Sequence, residues 1–292
     1  MTARLIVQNL WVRYPTPARV IEAVRGVSFT LGREKLGIVG ESGSGKSTVG
    51  RAILRLVPAP GVVSADRLIF DGTDLLSAGQ TALRAVRGQR ITMVMQDPKF
   101  SLNPVMTVGR QIREAYRAHT RASRAEARRR ALAMLAAVKI RDPERVYHCY
   151  PHEVSGGMGQ RVMIAMMLVA DPEILIADEP TSALDVTVQM QVLAILDDLV
   201  RERGLGLIFI SHDLNLVASF CDRVLIMYAG RVVEECPAGE LHRAQHPYTR
   251  GLLAALPHVD RPPGPLPVLE RDPAWLDGPP STGAPRRRPP AS

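Results

Sequence analysis

The chain has 292 residues, 46% of them hydrophobic, enough to bury a full core in one large or two small domains. Its net charge of +8 is spread along the chain, with clusters at 121–130 and 286–288 that lack interleaved aromatic residues, which speaks against a nucleic-acid stacking platform. Cys149, Cys221 and Cys236 form no C-x-x-C pair, the longest apolar runs are too short to cross a bilayer, and no signal sequence opens the chain, so a cytosolic location without disulfides or structural zinc is expected.

From 4 to 40, short β-type runs (RLIVQNLWVRY, AVRGVSFTL, KLGIVG) end in a glycine-rich loop that opens a helix at about Ser47. Residues 108–140 are rich in Arg, Ala, Leu and Glu, and favour a helical insert. Helices at about 157–170, 186–203 and 213–221 then alternate with the strands EILIAD, LGLIFIS and RVLIMY. That alternation predicts a parallel sheet covered on both faces. Ten prolines between 262 and 290 mark a tail expected to be poorly ordered.

The segment Gly40-Glu41-Ser42-Gly43-Ser44-Gly45-Lys46-Ser47-Thr48 fits G-x-x-x-x-G-K-[ST], between an apolar strand and a helix. Glycines there let backbone N–H groups curl around phosphate oxygens. Lys46 can reach the β- and γ-phosphates, and the Ser47 hydroxyl can ligate Mg²⁺. In ILIADE, Asp178 closes an apolar strand and Glu179 follows it, so two adjacent acids can divide the work between metal and attacking water.

GESGSGKST, MVMQDP, VSGGMGQR, ILIADEP, SALD and ISHD follow one another between 40 and 213 in the order of the nucleotide-binding subunits of ABC transporters, which the chain therefore resembles. The resemblance implies a P-loop NTPase core with a parallel sheet, an N-terminal antiparallel β subdomain and an inserted helical subdomain. It implies an ATPase domain over 1–260, with core at about 1–92 and 160–238, helical insert at about 93–159 and a C-terminal extension at about 239–260. It implies head-to-tail pairing, with each ATP between one chain's phosphate loop and the other's signature helix. Ser155, Gly156 and Gly157 would then grip the γ-phosphate of the partner's ATP. By the same resemblance, Gln96 contacts Mg²⁺ or the attacking water and His212 contacts the γ-phosphate. Asp185 resembles a dimer-contacting acid, with capping of the next helix as an alternative or added role. Tyr14 resembles the aromatic that stacks on adenine, a strand-edge core aromatic being the other reading. Met158 and Val154 depart from the family's commonest signature without touching its helix-terminal amides.

MVMQDPKFSLNPVMTVGRQI, ALDVTVQ and HPYTRGLLAALP resemble the dipeptide, oligopeptide and nickel branch of importer ATPases. This implies ATP-driven import of a peptide-like solute from the cytoplasmic face of the membrane, with nickel-complex, glutathione or opine import as alternatives. The implied partners are a second, different ATPase chain, two membrane-spanning permeases and an extracytoplasmic solute-binding protein, with no nucleic acid. The cysteine cluster that ligates an iron–sulfur centre in many branch members has no counterpart in 258–292, so none is expected. A DNA-repair ATPase would need long coiled-coil or zinc-bearing insertions, whereas only about 110 residues separate Gly45 from Ser155 (155 − 45). A non-catalytic ATP-dependent dimerisation module would not need Asp178, Glu179 and His212 together.

Overall fold

The computed structural model describes residues 3–95, 101–182, 184–256 and 272–276. They fall into two compact units: Met1–Gly32, Leu36–Ser77 and Ser211–Ser292 form one, Arg33–Lys35 and Ala78–Ile210 the other.

In the first unit, β1 (Leu5–Pro15) and β2 (Val20–Leu31) pair antiparallel, and β1 also pairs with β4 (Val62–Ser64) and β5 (Arg67–Phe70), which pairs with β6 (Thr73–Asp74). The buried residues of β1 are Leu5, Val7, Leu10 and Val12, a spacing that breaks the two-residue alternation of a strand. A bulge accounts for it: Asn9 takes φ 51°, the register slips between Val7 and Leu10, and the Asn9 N–H donates to Ser28 Oγ at 2.8 Å. The slip returns Leu10 and Val12 to the core face. The unit also holds β3 (Lys35–Val39), of which only Lys35 belongs to the second unit, parallel to β10 (Arg223–Tyr228), and β11 (Arg231–Pro237) antiparallel to β10. Its helices are α1 (Lys46–Ile53), α8 (Leu214–Phe220) and α9 (Pro247–Ala254).

In the second unit, β7 (Ile91–Val94), β8 (Ile174–Asp178) and β9 (Gly206–Ser211, of which only Ser211 belongs to the first unit) run parallel, with Ile91 opposite Ile174 and Asp178 opposite Ile210. All five residues of β8 are buried, the pattern of a strand covered on both faces. The helices are α2 (Gln80–Val86), α3 (Val108–His119), α4 (Arg124–Ala137), α5 (Pro143–His148), α6 (Gly156–Leu168) and α7 (Val186–Arg203). Within the expected insert, side chains close the starts of α4 and α5: Ser123 Oγ accepts the Glu126 N–H, and Asp142 Oδ1 accepts the Arg145 N–H ahead of Pro143 at the first helical position. At the far ends of α6 and α7, the Arg203 guanidinium donates to the Leu168 carbonyl at 3.1 Å and to Asp171 Oδ1 at 2.8 Å. That arginine ties the last turns of the two helices together.

On β11, burial and then the carboxylates of Glu234, Glu240 and Glu235 push the Cys236 thiol up to about 11. At pH 8 only about one molecule in a thousand then carries the reactive thiolate. Iodoacetamide at pH 8 is expected to leave Cys236 unmodified in the folded chain and to alkylate it in urea, as peptide mass mapping would show. Equal labelling in both states would contradict this environment.

Candidate active site

The loop Gly40–Thr48 joins β3 to α1 inside the first unit. Gly45 takes φ 98°, and a Cβ there would lie 2.3 Å from the Ala23 carbonyl oxygen, so both conformation and space require glycine. The loop is braced from outside: the Gly230 N–H, in the β10–β11 turn, donates to the Ser44 carbonyl at 3.0 Å, and the Gly230 carbonyl accepts the Arg25 N–H at 2.8 Å. Lys46 is buried and its Nζ donates to the carbonyls of Gly40 and Glu41, each at 2.8 Å. The ammonium is thus held within the curve of the loop.

Two further features of the loop suit an anionic ligand. α1 follows Gly45, its N-cap, with no side-chain cap, and Ser47 and Thr48 stand in its first turn, at the end of a helix where the dipole favours an anion. Ser44 Oγ is buried without a hydrogen-bond partner among the described residues, a cost of about 1–3 kcal/mol that a phosphate oxygen within reach would offset. Ser42 and Gly43 are exposed on the same loop. Tyr14, on β1, is half-buried with its ring edge over Gly61, where an added Cβ would meet Tyr14 Cε1 at 2.6 Å. Also in this unit, His212 is exposed between Ser211 and Asp213. Asp213 fixes that turn, its N–H donating to Ser211 Oγ and its Oδ1 accepting the Leu216 N–H, both at 3.0 Å.

In the second unit Asp178 is the buried last residue of β8, and Glu179 follows it in the left-handed region at φ 47°. Such a conformation costs a residue with a side chain on the order of 1–3 kcal/mol, and it recurs where function holds a side chain in one direction. The turn is over-determined by hydrogen bonds: the Glu179 N–H donates to the Ile210 carbonyl at 2.9 Å, and the Glu179 carbonyl accepts from the Ser182 N–H and hydroxyl. Gln96 lies outside the described residues.

The same unit brings the signature and the SALD acid together. A cleft of about 370 Å³ is lined by Ser155, Gly156, Gly157, Arg161, Asp185 and Gln191, among others. Ser155 caps α6 by accepting the Met158 N–H, and Asp185 caps α7 by accepting the Val188 N–H at 3.0 Å. Capping by Asp185, the alternative weighed from its sequence context, is therefore present. Arg161 bridges the two helices, donating to Gln191 Oε1 at 2.7 Å and to the Lys139 carbonyl at 3.3 Å. The two glycines differ in what they face. A Cβ on Gly156 would meet nothing within 4 Å, whereas one on Gly157 would lie 2.5 Å from Val188 Cγ1. Gly157 is thus also a packing glycine for the α6–α7 approach. The motif alone could not show that, because Val188 is distant in the chain, and the brace from Gly230 was hidden for the same reason.

Residues 24–182 match the family model described as ABC transporter. The chain is 51% identical over 256 residues to a probable peptide ABC transporter ATP-binding protein of Sinorhizobium fredii, covering 87% of this chain and 76% of that protein. It is 46% identical over 263 residues to the oligopeptide transport ATP-binding protein of Bacillus subtilis, covering 89% and 74%. Among solved structures it is similar to an ATP-binding cassette in a dimeric post-hydrolysis state bound to ADP and Pi, at TM-score 0.69 and 30% identity, covering 80% of this chain and 98% of that one.

The contrast between the two glycines is testable by melting. Gly157→Ala is expected to destabilise the chain by about 1–3 kcal/mol, since the stiff Val188 must move. Gly156→Ala is expected to leave stability unchanged or raise it by a few tenths of a kcal/mol. Thermal unfolding followed by circular dichroism separates them, and equal melting temperatures would remove the packing role of Gly157.

Proposed function

This chain belongs to the ABC transporter family of ATPases, and we propose that it is the ATP-hydrolysing subunit that powers import of a peptide-like solute across the cytoplasmic membrane. What supports the solute class is that relatives at 46–51% identity, of which the chain spans about three quarters, are named for peptide and oligopeptide transport. Among the described residues no helix is long and apolar enough to cross a membrane, in keeping with membrane-spanning permeases as separate chains.

In this reading the loop amides, Lys46 and the Ser44 hydroxyl hold the phosphates of ATP, and Tyr14 stacks on the adenine. Ser47, Gln96 and Asp178 are the oxygen donors assigned to Mg²⁺, a hard cation that takes such ligands and, when bound, offsets phosphate charge. Glu179 takes the proton of the attacking water, and His212 contacts the γ-phosphate. As the water oxygen bonds to the γ-phosphorus, the bond to the β–γ bridging oxygen breaks and ADP leaves with that electron pair. No iron–sulfur cluster is assigned to residues 258–292, which carry no cysteine.

The partner's ATP is the ligand we assign to the cleft of the second unit. Ser155, the amides of Gly156 and Gly157 at the start of α6, and Asp185 at the start of α7 converge there, and this convergence carries the trans-acting reading. ATP held by groups from two chains closes the pair, and loss of the γ-phosphate loosens it. That motion is passed to two permeases, loaded by an extracytoplasmic binding protein, from a peripheral position on the cytoplasmic face. The second ATPase chain is assigned as a different polypeptide.

Mg²⁺-dependent ATP hydrolysis by the purified chain is expected to be low, to depend on protein concentration, and to rise sharply when the second ATPase chain is added. Glu179→Gln should lower kcat by at least about 100-fold. Ser155→Arg should abolish the stimulation. Hydrolysis that is independent of concentration and indifferent to Ser155→Arg would overturn the trans-acting signature.

A further inference from the structure

The HPYT segment makes a direct contact with the Gly40–Thr48 loop. The Glu41 N–H donates to Tyr248 Oη at 3.1 Å, although the two residues are 207 positions apart. Glu41 is the second residue of the loop, and its carbonyl is one of the two that hold Lys46 Nζ. The tyrosine hydroxyl therefore grips the Gly40–Glu41 peptide unit, whose carbonyl, that of Gly40, is the other anchor of Lys46 Nζ.

Tyr248 is placed with care. It is fully buried in the first turn of α9. That helix is capped by His246, whose Nδ1 accepts the Tyr248 N–H at 3.2 Å. Burial lowers the pKa of His246, against the opposing pull of Glu234, which keeps Nδ1 available as an acceptor. The Glu234 carboxylate on β11 accepts the Gln245 N–H at 2.6 Å and the His246 N–H at 3.3 Å, anchoring the entry to the helix. The Tyr248 ring lies 4.6 Å from that of Tyr228 at the end of β10, and Trp275 packs edge-on at 6.0 Å from Tyr248 and 5.8 Å from Tyr228. β10 leads directly into the Ala229–Gly230 turn whose Gly230 N–H holds the Ser44 carbonyl. Two ends of the loop are thus fastened to one aromatic cluster, Glu41 through Tyr248 and Ser44 through the turn after Tyr228.

We infer that Tyr248 is a positioning residue of the phosphate loop, its hydroxyl fixing the Glu41 peptide, and that the Tyr228–Tyr248–Trp275 cluster makes nucleotide binding at the loop sensible to the C-terminal segment. The inference rests on the assignment of Gly40–Thr48 to ATP. Removing the hydroxyl leaves a loop N–H without its partner while the ring still fills its place, so the loop loses its preset shape and nucleotide must supply the ordering.

The test uses the full chain and ATP itself. Trp11 and Trp275 are the only tryptophans, so in Trp11→Phe the emission reports Trp275 alone. In that background Trp275 emission is expected to change saturably with ATP. Adding Tyr248→Phe should weaken ATP binding about five- to tenfold, the effect of one lost hydrogen bond, whatever it does to the melting temperature of the nucleotide-free chain. In the assembled transporter the same substitution should raise KM for ATP more than it lowers kcat. A merely structural tyrosine would give a lowered melting temperature with unchanged affinity. Lys46→Ala is the control: if neither it nor the parent binds ATP, the nucleotide assignment itself fails, and the inference with it. If the parent binds and Tyr248→Phe binds equally well, only the positioning role is overturned. Should Tyr248→Phe not fold, a Trp275 emission indifferent to saturating ATP in Trp11→Phe would overturn the coupling on its own.

Discussion

A helix start leaves backbone N–H groups without partners inside the helix, and the arrangement of this protein follows from how each start is completed. α8 and α9 are closed by side chains of their own sequence, Asp213 and His246. α1 is not; it follows Gly45 with no side-chain cap, in a loop that also holds the Lys46 ammonium and the buried Ser44 hydroxyl. α6 and α7 are intermediate, since Ser155 and Asp185 each satisfy one amide and leave the rest of their first turns at a shared cleft. The helix start of one unit thus lacks a side-chain cap, while two helix starts of the other are capped and meet at one cleft.

The turns at these sites have a cost in conformation, and the surrounding structure meets it with rigid braces. Gly45 is pressed against the Ala23 carbonyl, and the β10–β11 turn and the Tyr248 hydroxyl clamp the loop at Ser44 and Glu41. Glu179 keeps a left-handed backbone because Ile210 and Ser182 bind its peptide groups from both sides. Sites of this kind are pre-organised, so a ligand meets groups that need little further ordering and its binding energy is not spent on shaping the protein.

Much of this was legible in the sequence because it is local. Strand–loop–helix order around Gly40–Thr48, the acids Asp178 and Glu179 that follow ILIA, and the capping role weighed for Asp185 all lie within a few positions of the backbone groups concerned. Apolar runs between helices likewise announced parallel strands, because a strand buried on both faces has nowhere to place polar residues. The bulge at Asn9 was less legible: the sequence shows an irregular spacing of apolar residues, but only pairing with β2 decides where the slip occurs.

The sequence by itself determined where a glycine-rich loop would open a helix and which acids would follow which strand, since those properties depend on neighbours along the chain. Tertiary structure alone decided that Gly157 must be bare for Val188, that Ser155 and Asp185 share one cleft, and that Tyr248 reaches the Glu41 amide. Each of these depends on the register and packing of elements far apart in the chain, where a difference of one residue would turn the side chain to another face.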